Sequence, residues 1–381
     1  MKYCTQCLST DLRPNAHFSE AGVCIACQYS NDDRVVEDKR FKLTALQERI
    51  KQIRSRRRKR AAYDCIVGVS GGKDSTRQAH WVRDRLGLRP LLVCCAYPPA
   101  QMSDIGASNL SNLISMGFDL ITATPAPQTS RRLSLQAFRD FGNVCKSTEL
   151  ALFSTVPRLA IDLGINLIFW GENPALQVGD AGTRGVDEFD GNRLSHSNTL
   201  SQGGMEWMKG CVDEQRKLDH YRYPQEHYFD KNGISILFLG PAWDDWSNAN
   251  NATYAALQGL TLRPNEALET GDISEASMLD EEYSNINMML KYFKFGFGRA
   301  TDIVDEGIRN GQLSRQQGID IVKQYDGRCD DRIIDSYCRY VGISTAEFWQ
   351  IAHQWVNTDL FDIQPGQRPK PRFTVGVDYG H

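Results

Sequence analysis

Between residues 63 and 240, short apolar runs alternate with longer segments whose apolar residues recur at helical spacing. "YDCIVGV" predicts a strand, and "DSTRQAHWVRDRLG" a helix that closes at Gly87. "RPLLVCCAY" is a second strand, "SDIGASNLSNLISMG" a helix, and "FDLITATP" a third strand. "LSLQAFRDFG" and "STELALFSTVPRLAIDLG" follow as helices, the second with Pro157 inside it, before the strands "INLIFWGE" and "ISILFLG". Nearly continuous apolar strands in a βα rhythm predict an α/β fold, with a parallel twisted sheet of about five strands covered by helices on both faces.

From 175 to 230 the periodicity stops and Gly, Asn, Ser and Asp accumulate, the pattern of a functional insertion or a disordered segment. Beyond about residue 278 helical spacing returns in "MLDEEYSNINMMLKYFKFG", "TDIVDEGIRNG", "SRQQGIDIVKQYDG" and "STAEFWQIAHQWV". The tail from Pro365 is expected to pack loosely. Near the start, Phe41, Leu43, Leu46, Ile50 and Ile53 predict a charged helix that joins an N-terminal segment to the sheet. The expected organisation is a ribbon at 1–32, a basic linker helix at 33–60, the sheet domain at 61–260 and a mainly helical region at 261–381.

Composition sharpens this picture in three places. No apolar run is long enough to span a bilayer and the first residues form no apolar h-region, so a cytoplasmic protein with no membrane partner is expected. Residues 1–60 carry 14 Lys and Arg against 7 Asp and Glu, and the rest of the chain carries 30 against 40. The basic stretch "KQIRSRRRKR" suits RNA, an acidic partner or a solvated helix face, and the composition leaves these open. Eleven cysteines without a secretory signal point to metal ligands and buried thiols rather than disulfides.

Four of those cysteines form two CxxC pairs, Cys4 with Cys7 and Cys24 with Cys27. Each pair on a tight turn aims two sulfurs at one point, and two such turns complete a tetrahedron for Zn²⁺. Four thiolates leave no open position, so the expected zinc is structural and supplies folding energy that so short a segment lacks.

The strongest local pattern is "SGGKDS", Ser70 to Ser75, between the first strand and its helix. In α/β sheets, ligands bind outside the carboxyl ends of strands. Gly71 and Gly72 let the backbone approach phosphate oxygens, and the turn amides and helix N-terminus bind the anion. Lys73 adds positive charge, and Asp74 can hold Mg²⁺ with the phosphates. The loop is not GxxxxGK[ST], because Val67 and Asp74 stand where Gly and Ser or Thr would be needed, and GxGxxG is absent.

"SGGKDS" after a strand resembles the PP-loop of the N-type ATP pyrophosphatase superfamily, whose members split ATP between its α and β phosphates. Together with the Cys₄ ribbon, "FGNVCKSTELALFSTVPRLAIDLGINLIFWGENPA" and "LKYFKFGFGRATD", it resembles the N-acetyl sugar amidotransferase family, which includes the WbpG-type proteins of lipopolysaccharide biosynthesis. The resemblance covers nearly the whole chain. It implies an adenine nucleotide alpha hydrolase-like domain that binds ATP through Ser70, Gly71, Gly72, Lys73, Asp74 and Ser75, with Lys73 and Asp74 in catalysis. "WGENP" ends the fourth strand and so is expected to face the same crevice, Gly171 toward ATP and Glu172 toward Mg²⁺ or the substrate in catalysis, the alternative being a strand-end turn before a capped helix. The resemblance further implies conversion of a sugar acetamido group, in a UDP-activated diacetamido uronic acid, into an acetamidino group for O-antigen. Ammonia would come from a glutaminase subunit similar to that of imidazole glycerol phosphate synthase, working with a cyclase-like subunit. No cysteine here sits in a nucleophile-elbow context, so no glutaminase is expected within the chain.

Candidate substrate residues are Asn173 at the end of the fourth strand, and Lys294 and Arg299 in "KFGFGRATD"; the phenylalanines of that motif read equally as helix-end packing. His196, His220 and His227 lack metal-ligand spacing and receive no role. The competing class is tRNA thiolation, which also joins PP-loops to cysteine-rich ribbons and would use the basic segment. It calls for a reactive cysteine, and Cys145, the one in a plausible place, reads first as a buried thiol. A non-enzymatic nucleotide-binding adaptor fits poorly with an intact Lys73 and Asp74.

Overall fold

In the computed structural model, the described residues are 1–14, 16–31, 39–55, 62–171, 205–243 and 245–380. Five parallel strands form one sheet: β1 (Cys65–Gly68), β2 (Pro90–Cys95), β3 (Leu120–Ala123), β4 (Leu167–Trp170) and β5 (Ser235–Phe238). Their order is β3-β2-β1-β4-β5. The chain walks outward from β1 to β3, then returns to the other side of β1 and walks out through β4 to β5. The reversal between β1 and β4 opens a crevice at their carboxyl ends, where such sheets bind ligands.

Alternation along β1 explains the two covered faces. Ile66 joins Leu91, Val93, Ile168 and Ile236 beneath Val156 and Ala160 of the helix Lys146–Leu163. Cys65 and Val67 turn the other way, with Leu92, Leu167, Phe169 and Leu237, against Leu46, Ile50 and Ile53 of the helix Lys39–Ser55. Each such apolar side chain contributes roughly 1.5–3 kcal/mol by leaving water. The helix expected as a linker is therefore a layer of the sheet domain, with Leu46 fully buried and Asn166 Nδ2 donating to the Ile53 carbonyl at 3.0 Å.

The C-terminal region is helical: Ser284–Phe295, Arg299–Arg309, Arg315–Tyr325, Asp331–Val341 and Thr345–His353, followed by the short antiparallel pair β6 (Phe361–Asp362) and β7 (Lys370–Pro371). It shares one core with the helix Pro127–Phe141, whose Phe138 ring lies 5.0 Å from Phe348 and 6.0 Å from Tyr337. Two expectations change here. The tail is packed: Phe373 and Val375 are buried in that core, and the Tyr379 N–H donates to the Met1 carbonyl at 2.8 Å. The described part of the expected irregular insertion is also packed, with Met208, Leu218 and Tyr221 buried on Leu133, Leu150 and Ala151. In both cases the covering groups come from distant sequence, which local periodicity does not register.

Candidate nucleotide and metal sites

Ser70 to Gly72 leave the carboxyl end of β1 and the helix Lys73–His80 begins at once. Gly71 has φ +86°, and a Cβ there would come within 3.1 Å of the Leu110 amide nitrogen, so only glycine fits this turn. The Gly72 N–H donates to Ser70 Oγ at 3.3 Å, and Ser75 Oγ donates to the Gly72 carbonyl at 3.1 Å. The loop is thus pre-shaped, with its backbone held by its own two serines.

Lys73 is buried, with its ammonium 2.7 Å from Asp74 Oδ2. Asn251 Nδ2 donates to Asp74 Oδ1 at 2.7 Å, and Asn251 Oδ1 accepts from Arg77 at 2.7 Å. Arg77 makes a two-pronged pair with Asp245 at 2.7 and 2.6 Å and lies over the Trp243 and Tyr254 rings. Burial works against the Asp74 charge, but Lys73, Asn251 and Arg299 outweigh it and hold the carboxyl below its ordinary range.

Beside the loop lies a cavity of about 450 Å³, lined among others by Ser70, Gly72, Asp74, Ser75, Gln78 and Asp280. Phe153 and Trp170, stacked at 5.4 Å, and Glu149 complete its far wall. Gln78 is buried, and its Nε2 has no partner among the described residues. Gly171 packs on it, since a Cβ there would meet Gln78 Oε1 at 2.9 Å. A free amide donor, stacked aromatics and a glycine-rich loop together suit a nucleotide.

Asp280 reaches this cavity from the C-terminal side of the chain. Its segment is strapped across the sheet by the Met102–Glu281 bridge and by the Ser103 N–H donating to the Asp280 carbonyl at 3.2 Å. The strap lies so close to the helix Asp104–Ser115 that a Cβ on Gly106 would come within 2.6 Å of the Asp280 Cα. Tyr97 donates to Asp280 Oδ2 at 3.2 Å, yet burial still raises the Asp280 pKa. Next along, Glu281 accepts from Gln101 at 3.2 Å, from the Tyr283 N–H at 2.8 Å and from Cys145 Sγ at 3.6 Å. Burial and the Asp280 charge push Glu281 up to about 7. Cys145 is buried, and burial together with Glu281 raises its pKa well above the ordinary thiol value.

The residues expected to act together are only partly assembled. Ser70, Gly72, Asp74 and Ser75 line the cavity; Gly71 and Lys73 shape and charge the loop. Glu172 and Asn173 lie outside the described residues, as does His196. Arg299 donates to Ser277 Oγ and lies 4.0 Å from Asp272, near enough to act on Asp74. Lys294 instead donates to the Phe141 carbonyl, at the end of the helix Pro127–Phe141. Gln78, Asn251, Glu149 and Asp280 went unmarked in the sequence. Gln78 carried a usable signal, being one turn beyond Ser75 on the same helical face; Asn251 and Asp280 reach the loop only through tertiary contacts.

The four N-terminal cysteines are buried, with all four sulfurs within 4.8 Å of one another. Cys4 and Cys27 are 4.0 Å apart and Cys7 and Cys24 3.7 Å, close to the roughly 3.8 Å edge of a tetrahedron with Zn–S bonds of about 2.3 Å. The N–H groups of Gln6 and Cys24 donate to Cys4 Sγ, and that of Ser9 to Cys7 Sγ, as thiolate ligands require. This is a closed site for a metal such as zinc. It docks on the C-terminal helices: the Leu8 N–H donates to Asp305 at 2.7 Å, and Arg13 pairs with Asp302 at 2.6 Å.

Fold and cysteine cluster together define an α/β protein with a ligand crevice at the sheet's switch point and a four-cysteine ribbon. Residues 279–370 match the family model described as the C-terminal domain of WbpG-like lipopolysaccharide biosynthesis proteins. Over that stretch the chain is similar to a WbpG-like C-terminal domain, and Asp280 falls inside the matched region. No curated protein matches the chain significantly. Among the described residues, no helix is long and apolar enough to cross a membrane.

Proposed function

We propose that the chain is an ATP-dependent amidotransferase acting on an N-acetylated sugar. The acetamido oxygen would attack the α-phosphorus of ATP and release pyrophosphate. Ammonia would then add to the imidate carbon, and AMP would depart with the oxygen, leaving an acetamidino group. The observation that carries the proposal is the junction of the phosphate loop with Asp280, a residue of the matched WbpG-like region, in one cavity of about 450 Å³.

In this scheme the loop amides and Lys73 neutralise phosphate charge, and Lys73 exchanges Asp74 for the nucleotide. Asp74 or Asp280, which line the cavity singly rather than as a joint cluster, would offer an oxygen to Mg²⁺ carried by the phosphates, and the ion would neutralise charge there. Gln78 Nε2 would donate to the nucleotide or the acetamide. Ammonia would be delivered by a glutaminase subunit with its cyclase-like partner. The competing tRNA thiolation gains little from Cys145, whose thiol is buried and held protonated beside Glu281.

The test is product analysis with ATP, Mg²⁺, an ammonium salt and a panel of diacetamido UDP-sugars. A product lighter by about one mass unit, formed with AMP and abolished by Lys73→Ala, is expected, because Lys73 neutralises the transferring phosphate. AMP release that depends on tRNA and a sulfur donor would replace this function with thiolation.

A further inference from the structure

Lys73, Arg77, Lys146 and Arg263 are the buried lysines and arginines among the described residues. Three have a carboxylate at hand: Lys73 has Asp74 at 2.7 Å, Arg77 has Asp245 at 2.6 Å and Arg263 has Glu282 at 3.2 Å. Lys146, only 4% exposed, makes no hydrogen bond or close ion pair among the described residues; the Glu149 carboxylate, one turn on, acts on it only at longer range. Its ammonium rests 4.7 Å from the centroid of the Phe141 ring.

A second ammonium converges on the same residue. Lys294 donates to the Phe141 carbonyl and lies 5.2 Å from the Trp355 ring centroid, again without a carboxylate partner among the described residues. Burial and the Lys146 charge pull Lys294 down to about 8, and burial lowers Lys146 as well, outweighing the Glu149 charge that works the other way. The Trp207 ring packs edge-on to Phe141 at 5.5 Å, and Nε1 of both Trp207 and Trp355 is buried without a partner. The unpaired polar groups of this cluster are thus donors, set in apolar walls. Two ammoniums so placed, only partly offset by Glu149, are costly to bury and are relieved by an anion.

Its position connects it to the loop cavity. Lys146 opens the helix Lys146–Leu163, and Glu149, Leu152 and Phe153 of that helix line the cavity. The preceding residue, Cys145, is bonded to Glu281, the neighbour of the cavity residue Asp280. We infer that Lys146 and Lys294 form a subsite, contiguous with the loop cavity, that binds an anionic group of the acceptor, a carboxylate or a phosphate. Anion binding follows from the cluster itself; its assignment to the acceptor rests on the function proposed above.

The experiment is calorimetric titration of the full zinc-loaded chain with UDP, with glucuronate and with a non-hydrolysable ATP analogue plus Mg²⁺, for wild type, Lys146→Met and Lys294→Met. Each substitution is expected to weaken one of the first two probes by about tenfold or more, as for hydrogen bonds to charged groups. Loss of UDP identifies a phosphate and loss of glucuronate a carboxylate. The ATP analogue should bind as before, and Lys146→Met should stay folded, which its melting curve checks, since Met keeps the apolar stem of the side chain. Unchanged affinity for both UDP and glucuronate would overturn the subsite. So would parallel weakening of the ATP analogue, which would assign the lysines to the nucleotide. A failure of sugars to yield amidine would sink the proposed reaction and leave these affinities intact.

Discussion

Asn251 and Asp74, 177 residues apart in sequence, are joined by a 2.7 Å hydrogen bond from Nδ2 to Oδ1. The same amide accepts from Arg77, so one fully buried side chain holds both charged faces of the helix that opens at the glycine-rich loop. The segment after β5 is thereby the support on which the loop geometry depends.

Asn251→Ala leaves Asp74 and Arg77 each short of one partner in a buried place. A loss of about 2 kcal/mol in unfolding free energy is expected from a broken hydrogen bond to charged groups. Urea denaturation measures it, and AMP formation should fall further than stability alone explains. A variant as stable and active as wild type would show that the loop does not rely on this contact.

Gly106→Ala tests the strap that brings Asp280 to the cavity. The new methyl would collide with the Asp280 backbone at 2.6 Å, and only movement of the strap relieves that clash. Overpacking of this kind costs about 1–3 kcal/mol. Gly106→Ala should therefore reduce AMP formation, whereas Ser111→Ala, on an exposed turn of the same helix, should not. Equal activity in the two variants would detach the strap from catalysis.

Glu281, pushed up to about 7 by burial and by Asp280, favours its neutral form in the folded chain. Its contribution to stability is full below the ordinary pKa of 4.5 and is lost as pH rises through about 7. Glu281→Gln is neutral throughout, so its stability relative to wild type should rise between pH 5 and 8, by up to about 3 kcal/mol. Denaturant midpoints at the two pH values check this; a constant difference would mean that Glu281 is already ionised at pH 5.

Cys24→Ser should lower bound zinc and stability together. Structural zinc contributes apparent binding energies of roughly 10–16 kcal/mol in small domains, so a loss of at least about 3 kcal/mol is expected. Because Leu8 and Arg13 dock on Asp305 and Asp302, the C-terminal helices should lose hydrogen-exchange protection as well. Full metal content after the substitution would exclude Cys24 as a ligand.

Sequence alone determined the features whose physics is local. Ile66 and Val67 alternate in a short β-branched run ending in glycine, as a strand buried on both faces does; Gly71 and Gly72 stand where that strand meets a helix; four cysteines stand in two close pairs. The helix Asp331–Val341 was equally legible, with Ile333, Ile334, Tyr337, Cys338 and Val341 at helical spacing, and is not among the elements predicted from the sequence. Tertiary structure decided what depends on long-range contact. It placed Asp280 and Asn251 at the loop, turned the expected linker into a core layer, and packed the tail onto the ribbon. Lys146 and Lys294 meet at Phe141 for the same reason: the energy that brings them together is the burial of Phe138, Tyr337 and Phe348 in one core. No spacing along the chain encodes that meeting.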